Sequence, residues 1–172
     1  MNYRRLTRSE LEELEPQFVR FLAAQSIPAD DWVKIKVTDE KRADLLIDQF
    51  SQMVYDDVLR RCEYLEQRGA QQLLTFRSGP DKLELRGLVV QGGEVDLRQN
   101  TSPSDLLAEI QRSGAKLRVL SAERLYRPDR ATELFAMIER GAKIAKTSEL
   151  FDVLDQVTPA PAPVSTPDHN QA

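Results

Sequence analysis

The stretch TDEKRADLLIDQFSQMVYDDVLRRCEYLEQRG, from Thr38 to Gly69, decides how the rest of the chain is read. Leu45, Leu46, Phe50, Met53, Val54, Val58, Cys62 and Leu65 recur in steps that keep one stripe of a helix apolar. Asp44, Asp48, Gln52, Asp56, Arg60, Glu63 and Gln67 fall on the opposite side. Thr38 suits an N-cap, Asp39 and Glu40 suit the positive end of the helix dipole, and Gly69 is the expected stop. A helix of this length would run roughly 45 Å, which invites a kink near Ser51 or a split into two. Tyr55 and Leu59 widen the stripe and imply contacts on more than one side.

Before this stretch, Thr7 and Glu10 form a capping-box pattern, and Leu11, Leu14, Phe18, Phe21 and Leu22 form a helical stripe. Pro16 lies inside that stripe and predicts a restart near Glu15. Asp30 is expected to cap a short helical turn that carries Trp32. After Gly69 the period changes. Residues 73–77 and 82–90 read as an antiparallel pair of strands around the turn Ser78-Gly79-Pro80-Asp81, with a further short strand at Val95–Leu97. Ser102 and Pro103 open a helix that Gly114 closes, and Lys116–Leu120 reads as a strand. Asp129 caps a helix carrying Leu134, Phe135 and Ile138, Ala142–Ala145 reads as a short strand, and Thr147 caps a last helix. The expected fold class is therefore α+β. One globular domain spans 1–157, helical to 69 and mixed from 70, with room for some parallel pairing, and a disordered Pro/Ala-rich tail covers 158–172.

Composition excludes more than it assigns. The single histidine, His169, lies in the tail, which removes Ser-His-Asp and Cys-His catalysis and histidine-based zinc sites. Cys62 is alone, so no intramolecular disulfide forms, and its place on an apolar stripe marks a core residue. No phosphate-cradling glycine loop occurs, the paired carboxylates read as solvated or capping groups, and nothing calls for a cofactor or a metal. No apolar run follows Met1–Arg5, so neither a signal peptide nor a membrane span is expected, and a cytoplasmic location follows.

The positive signal is charge distribution. Nine basic residues against four acids lie between Arg112 and Lys146, and beyond Lys146 there are acids but no Lys or Arg. Arg124, Tyr126, Arg127 and Arg130 crowd into the connection from Ser121 to Arg130, with Arg118 just before it. Arginines beside an aromatic suit phosphate or RNA, and loops at strand ends collect binding residues. Equally, these arginines would form a local ion network with Glu123, Asp129 and Glu133. Arg4, Arg5 and Arg8 would join such a patch if the fold brought them near.

Tyr3-Arg4-Arg5-Leu6-Thr7, Phe18, Phe21-Leu22 and Asp30-Asp31-Trp32 resemble a family of uncharacterised small bacterial proteins. Tyr126-Arg127-Pro128-Asp129-Arg130 with Glu133-Leu134-Phe135 extends the resemblance, which covers roughly residues 1 to 155. It implies a bacterial cytoplasmic protein and carries no catalytic residues. The expectation from the residues is a non-enzymatic binding or adaptor protein whose long helix and N-terminal arm meet a protein partner. Two alternatives stand beside it: an RNA- or ribosome-associated protein using Arg118, Arg124, Tyr126, Arg127 and Arg130, and an enzyme that clamps a phosphorylated ligand with arginines.

Overall fold

The computed structural model describes residues 3–99 and 102–158, and the chain divides after Arg61 into two compact units. The first is helical: α1 (Arg8–Glu13), α2 (Glu15–Ala24), α3 (Ala29–Thr38) and α4 (Glu40–Arg61). The second holds β1 (Tyr64–Arg68), β2 (Gln72–Ser78), β3 (Lys82–Gln91), α5 (Pro103–Ser113), β4 (Lys116–Leu125), α6 (Arg130–Glu139), β5 (Lys143–Ile144) and α7 (Glu149–Val157).

In the helical unit the capping box forms: Glu10 N–H donates to Thr7 Oγ1 and Thr7 N–H donates to the Glu10 carboxylate. The chain restarts at Glu15, with Pro16 in the first turn of α2 where its missing amide costs nothing. Phe18 meets Trp32 edge-on at 5.2 Å and Phe50 at 5.0 Å, and Leu22, Ile27, Ile35, Ala43 and Leu46 complete this core. The arm before α1 runs along α4. Gln52 accepts from the Tyr3 amide at 2.8 Å and donates to the Tyr3 carbonyl at 3.0 Å, while Ser51 Oγ accepts from Leu6 N–H. Two starts differ from expectation. Asp30 lies inside the first turn of a helix that begins after Pro28, and Thr38 closes α3 while Asp39 receives the Arg42 amide.

The long helix is shorter than its apolar stripe. It ends at Arg61, and residues 64–68, expected as its last turn, form β1. Cys62 and Leu65 fit a helical stripe, but Tyr64 to Arg68 also pair residue by residue with Arg77 to Leu73, and Leu65, opposite Phe76, is fully buried. Cross-strand pairing and burial outweigh a helical spacing that only local propensity supports. Gly69 is then a hairpin residue, its N–H donating to Gln72 O at 2.7 Å.

The sheet order is β4-β3-β2-β1-β5, and every pairing is antiparallel, which replaces the parallel pairing expected from the alternation of helices and strands. β4 is twice its expected length because it pairs along the whole of β3, from Lys116 opposite Gln91 to Leu125 opposite Lys82. Val95–Leu97 is a loop rather than a strand, yet both apolar side chains are buried with Leu73, Leu88, Val90, Leu106, Ile110, Leu150 and Leu154. α7 is capped at Ser148 rather than Thr147. It lies on the sheet face of Arg86, whose Nε reaches Asp155 at 2.6 Å and whose guanidinium stands over Phe151. The tail, apart from Thr158, lies outside the described residues, and His169 with it.

Candidate functional site

The five residues expected to bind phosphate or RNA are spread over two elements and a shortened loop. Because β4 runs to Leu125, Arg124 is a strand residue and only Tyr126–Asp129 connects β4 to α6. Arg118, opposite Val89, and Arg124, opposite Leu83, share the sheet face that turns away from α7. Six residue steps along the strand separate them by roughly 20 Å.

Three of the five are drawn into the protein itself. Arg130, the first residue of α6, donates through Nη2 to Cys62 O at 2.5 Å and to Ser78 O at 3.3 Å, and through Nε to Gly79 O at 3.2 Å. Tyr126 Oη donates to the same Gly79 carbonyl at 2.8 Å, and burial pushes its phenol above the usual value, so it keeps the proton it donates. Arg124 pairs with Glu133, which is buried at 6% exposure and also accepts the Arg127 amide at 3.2 Å. Asp129 caps α6 through Thr132, whose amide holds its carboxyl below the ordinary range. The Arg118 and Arg127 side chains are exposed. Cys62 is buried, and burial pushes its thiol up despite the nearby Arg130 charge, which keeps it from acting as a thiolate nucleophile at neutral pH.

The N-terminal arginines belong to the helical unit and are paired there. Arg5 binds Asp44 and Asp48, Arg4 binds Glu10, and Arg8 binds Glu12. The Arg4 guanidinium holds the Glu10 carboxyl down to about 2.

α4 presents a different kind of surface. Leu45, Met53 and Val58, read from the sequence as part of its buried stripe, are exposed, because Ala43, Leu46, Phe50, Tyr55 and Leu59 take the buried positions. Met53, Val54 and Val58 line a groove of about 950 Å³ together with Leu14 from the α1–α2 junction. Gln17, Gln49, Gln52, Asp56, Asp57, Arg60 and Arg61 form the rest of its wall. Asp57 binds both Arg60 and Arg61, so the charged end of the groove is internally compensated. The excess apolar width of the helix was the sequence signal for this surface. Leu14 and Gln17, from outside α4, could be added only once the fold brought α2 beside α4.

Among the described residues no helix is long and apolar enough to cross a membrane, and no three His, Cys, Asp or Glu side chains gather as a metal site. The fold and these surfaces define an α+β protein with a helical unit and an antiparallel sheet unit. The chain belongs to a family of unknown function (DUF6495), whose family model matches residues 1–159. The resemblance read from Tyr3–Thr7 and Tyr126–Arg130 is thus to a family without an assigned activity. No curated protein and no solved structure matches the chain.

Proposed function

We propose that this protein is a non-enzymatic adaptor of the bacterial cytoplasm whose helical unit holds an amphipathic helix of a protein partner in the α4 groove. The observation that carries this reading is Met53, 45% exposed, beside Val54, Val58 and Leu14 in a groove of about 950 Å³. A flexible thioether on an apolar floor, edged by glutamines and a compensated Asp57–Arg60–Arg61 cluster, suits helix-in-groove recognition. The glutamine amides offer hydrogen bonds along the edge without selecting a charge sign. The alternative, RNA or ribosome association, retains Arg118 and Arg127 as its exposed cations, since Arg124, Tyr126 and Arg130 already have internal partners.

The test is a photo-crosslinking residue at position 53 in the full-length protein, used in cells and followed by affinity purification with and without nuclease. A protein adduct that survives nuclease and disappears when Val58→Asp is added supports the adaptor reading. Partners that vanish with nuclease and with Arg127→Glu, while position 53 stays unlinked, replace it with the RNA reading.

A further inference from the structure

The sheet unit carries a second concavity, remote in sequence from the Tyr126 loop. A recess of about 710 Å³ is lined by Glu66 and Arg68 of β1, by Arg98, and by the segment Gly141–Thr147 that holds β5, including Lys143 and Lys146. A smaller recess of about 290 Å³ shares Glu66, Arg68 and Thr147 with it and reaches Ser102 and Glu149.

At its base lies a half-buried charge pair. Arg68 donates through Nε and Nη2 to Glu66 Oε2 at 3.1 and 2.9 Å, and through Nη1 to Gln99 O at 3.1 Å. Arg68 and Glu66 are 18% and 22% exposed, and the second Glu66 oxygen, Oε1, takes no hydrogen bond from the described residues. Arg98 is held by Asp96 at 2.6 Å, and that pairing draws the Asp96 carboxyl down to about 2. The two lysines are different. Lys143 stands directly across from Glu66 in the β1–β5 pairing, so both side chains rise from one face of the sheet, yet it makes no ion pair with any described residue. Lys146 likewise has no partner among the described residues. Arg68, Arg98, Lys143 and Lys146 line the recess with Glu66, and Asp96 engages Arg98, which leaves the positive excess on Lys143 and Lys146 in a concave space of ligand size, with Glu149 in the adjoining recess.

From this arrangement we infer that the recess binds a small phosphomonoester, with Lys143 and Lys146 on the phosphate and Glu66 Oε1 accepting a hydroxyl of the ligand. The phosphate of such a molecule carries close to two negative charges at neutral pH, matching the two ammonium groups. Arg68, fixed by Glu66 and Gln99, supplies a positive floor without having to reorganise. Two features favour a small ligand over a nucleic-acid strand. Glu66 and Glu149 line the adjoining walls and repel a continuous run of phosphates, and no aromatic residue lines either recess for a base to stack on.

Isothermal titration calorimetry on the full-length protein tests this with inorganic phosphate, glucose 6-phosphate and a ten-nucleotide single-stranded DNA. The expected result is that both small phosphates bind, glucose 6-phosphate more tightly because of its hydroxyls. Lys143→Gln with Lys146→Gln should weaken both at least tenfold, and Glu66→Gln should reduce only the advantage of the sugar phosphate. Lys41→Gln, an exposed lysine of the helical unit, is the control and should leave binding unchanged, and a thermal melt of each variant separates loss of binding from loss of fold. Absence of small-phosphate binding by the wild type, binding of the oligonucleotide alone, or equal phosphate affinity in the folded double-lysine variant overturns the inference.

Discussion

Around α6, Arg124 and Arg130 reach carboxylate or carbonyl oxygens of their own chain, whereas beside β5 the ammonium groups of Lys143 and Lys146 reach none among the described residues. Both regions draw on the same basic stretch of sequence, and each holds three basic residues: Arg124, Arg127 and Arg130 around α6, and Arg140, Lys143 and Lys146 beside β5. They differ in what their donors already hold. Arg130 bonds three carbonyls, at the entry to β1 and around the β2–β3 turn, sharing Cys62 O with the Ser78 hydroxyl and Gly79 O with Tyr126, so its charge serves the fold. Lys143 faces Glu66 across two strands, but Arg68 has already engaged that carboxylate, so the lysine charge stays available. Binding capacity follows the unspent donors of a region, which a count of basic residues alone does not show.

The largest effect that sharpens this contrast is expected at Arg130. Arg130→Ala removes charge-assisted bonds to Cys62, Ser78 and Gly79 and should lower unfolding stability by about 3 kcal/mol in urea denaturation. Arg130→Lys should restore little, since one ammonium cannot span three carbonyls as a planar guanidinium does. A stable Arg130→Ala protein would break the contrast by showing that the α6 cluster is not structural. Next comes Arg86, 8% exposed on its side chain and bound to Asp155 of α7. Asp155→Asn strips the charge from its carboxylate partner, and a loss of about 1–2 kcal/mol in the same assay is expected, moderated because Asp155 itself is half exposed.

A smaller effect appears in the pH profile. The Arg77 guanidinium, bonded to Glu84 at 2.7 and 2.9 Å, holds the Glu84 carboxyl below its ordinary 4.5. A folded-state value below the unfolded one means that the pair's contribution is complete above about pH 4.5 and fades as pH falls through the depressed folded value. Thermal melts across pH 2–6 should therefore show a shallower acid-side loss in Glu84→Gln than in the wild type. Parallel profiles would show that the pair does not couple to folding.

These contrasts also explain what the sequence made legible. Local signals held where they act locally: Thr7 and Glu10 form their box, Pro16 restarts a helix, Ser102 and Asp129 cap theirs, and Gly114 closes α5 with a positive φ of 67°. The caps expected at Asp30, Thr38 and Thr147 are displaced by one or two residues, and the larger differences arise where partners distant in sequence decide. Residues 64–68 carry a spacing compatible with a helix, and only Leu73–Arg77 alongside them makes a strand. The same distance effect governed the basic residues. Arg130 meets the carbonyls of Cys62 and Ser78 across more than 50 residues, and Arg68 meets Gln99 across 31. No window around Arg130 could reveal that its donors were taken. Lys143 and Lys146 were visible in the basic stretch, but the recess that joins them to Arg68 was not.

The smallest effect on stability is expected at those two lysines, and it bears most directly on the contrast. Lys143→Gln and Lys146→Gln remove charges that hold no partner among the described residues, so urea midpoints should move by no more than about 0.5 kcal/mol equivalent. Stability should even rise slightly at low salt, because two unmatched cations beside Arg68 and Arg98 repel one another through a concave, partly screened space. That gain should disappear at high salt, where the repulsion is screened. Arg130→Ala should behave in the opposite way: its loss should persist in high salt, because hydrogen bonds to half-buried carbonyls are poorly screened. A salt series on both variants therefore separates the two regions by sign as well as by size. If the lysine variant instead lost stability at every salt concentration, Lys143 and Lys146 would be structural like Arg130, and the recess would have no charge to spare for a ligand.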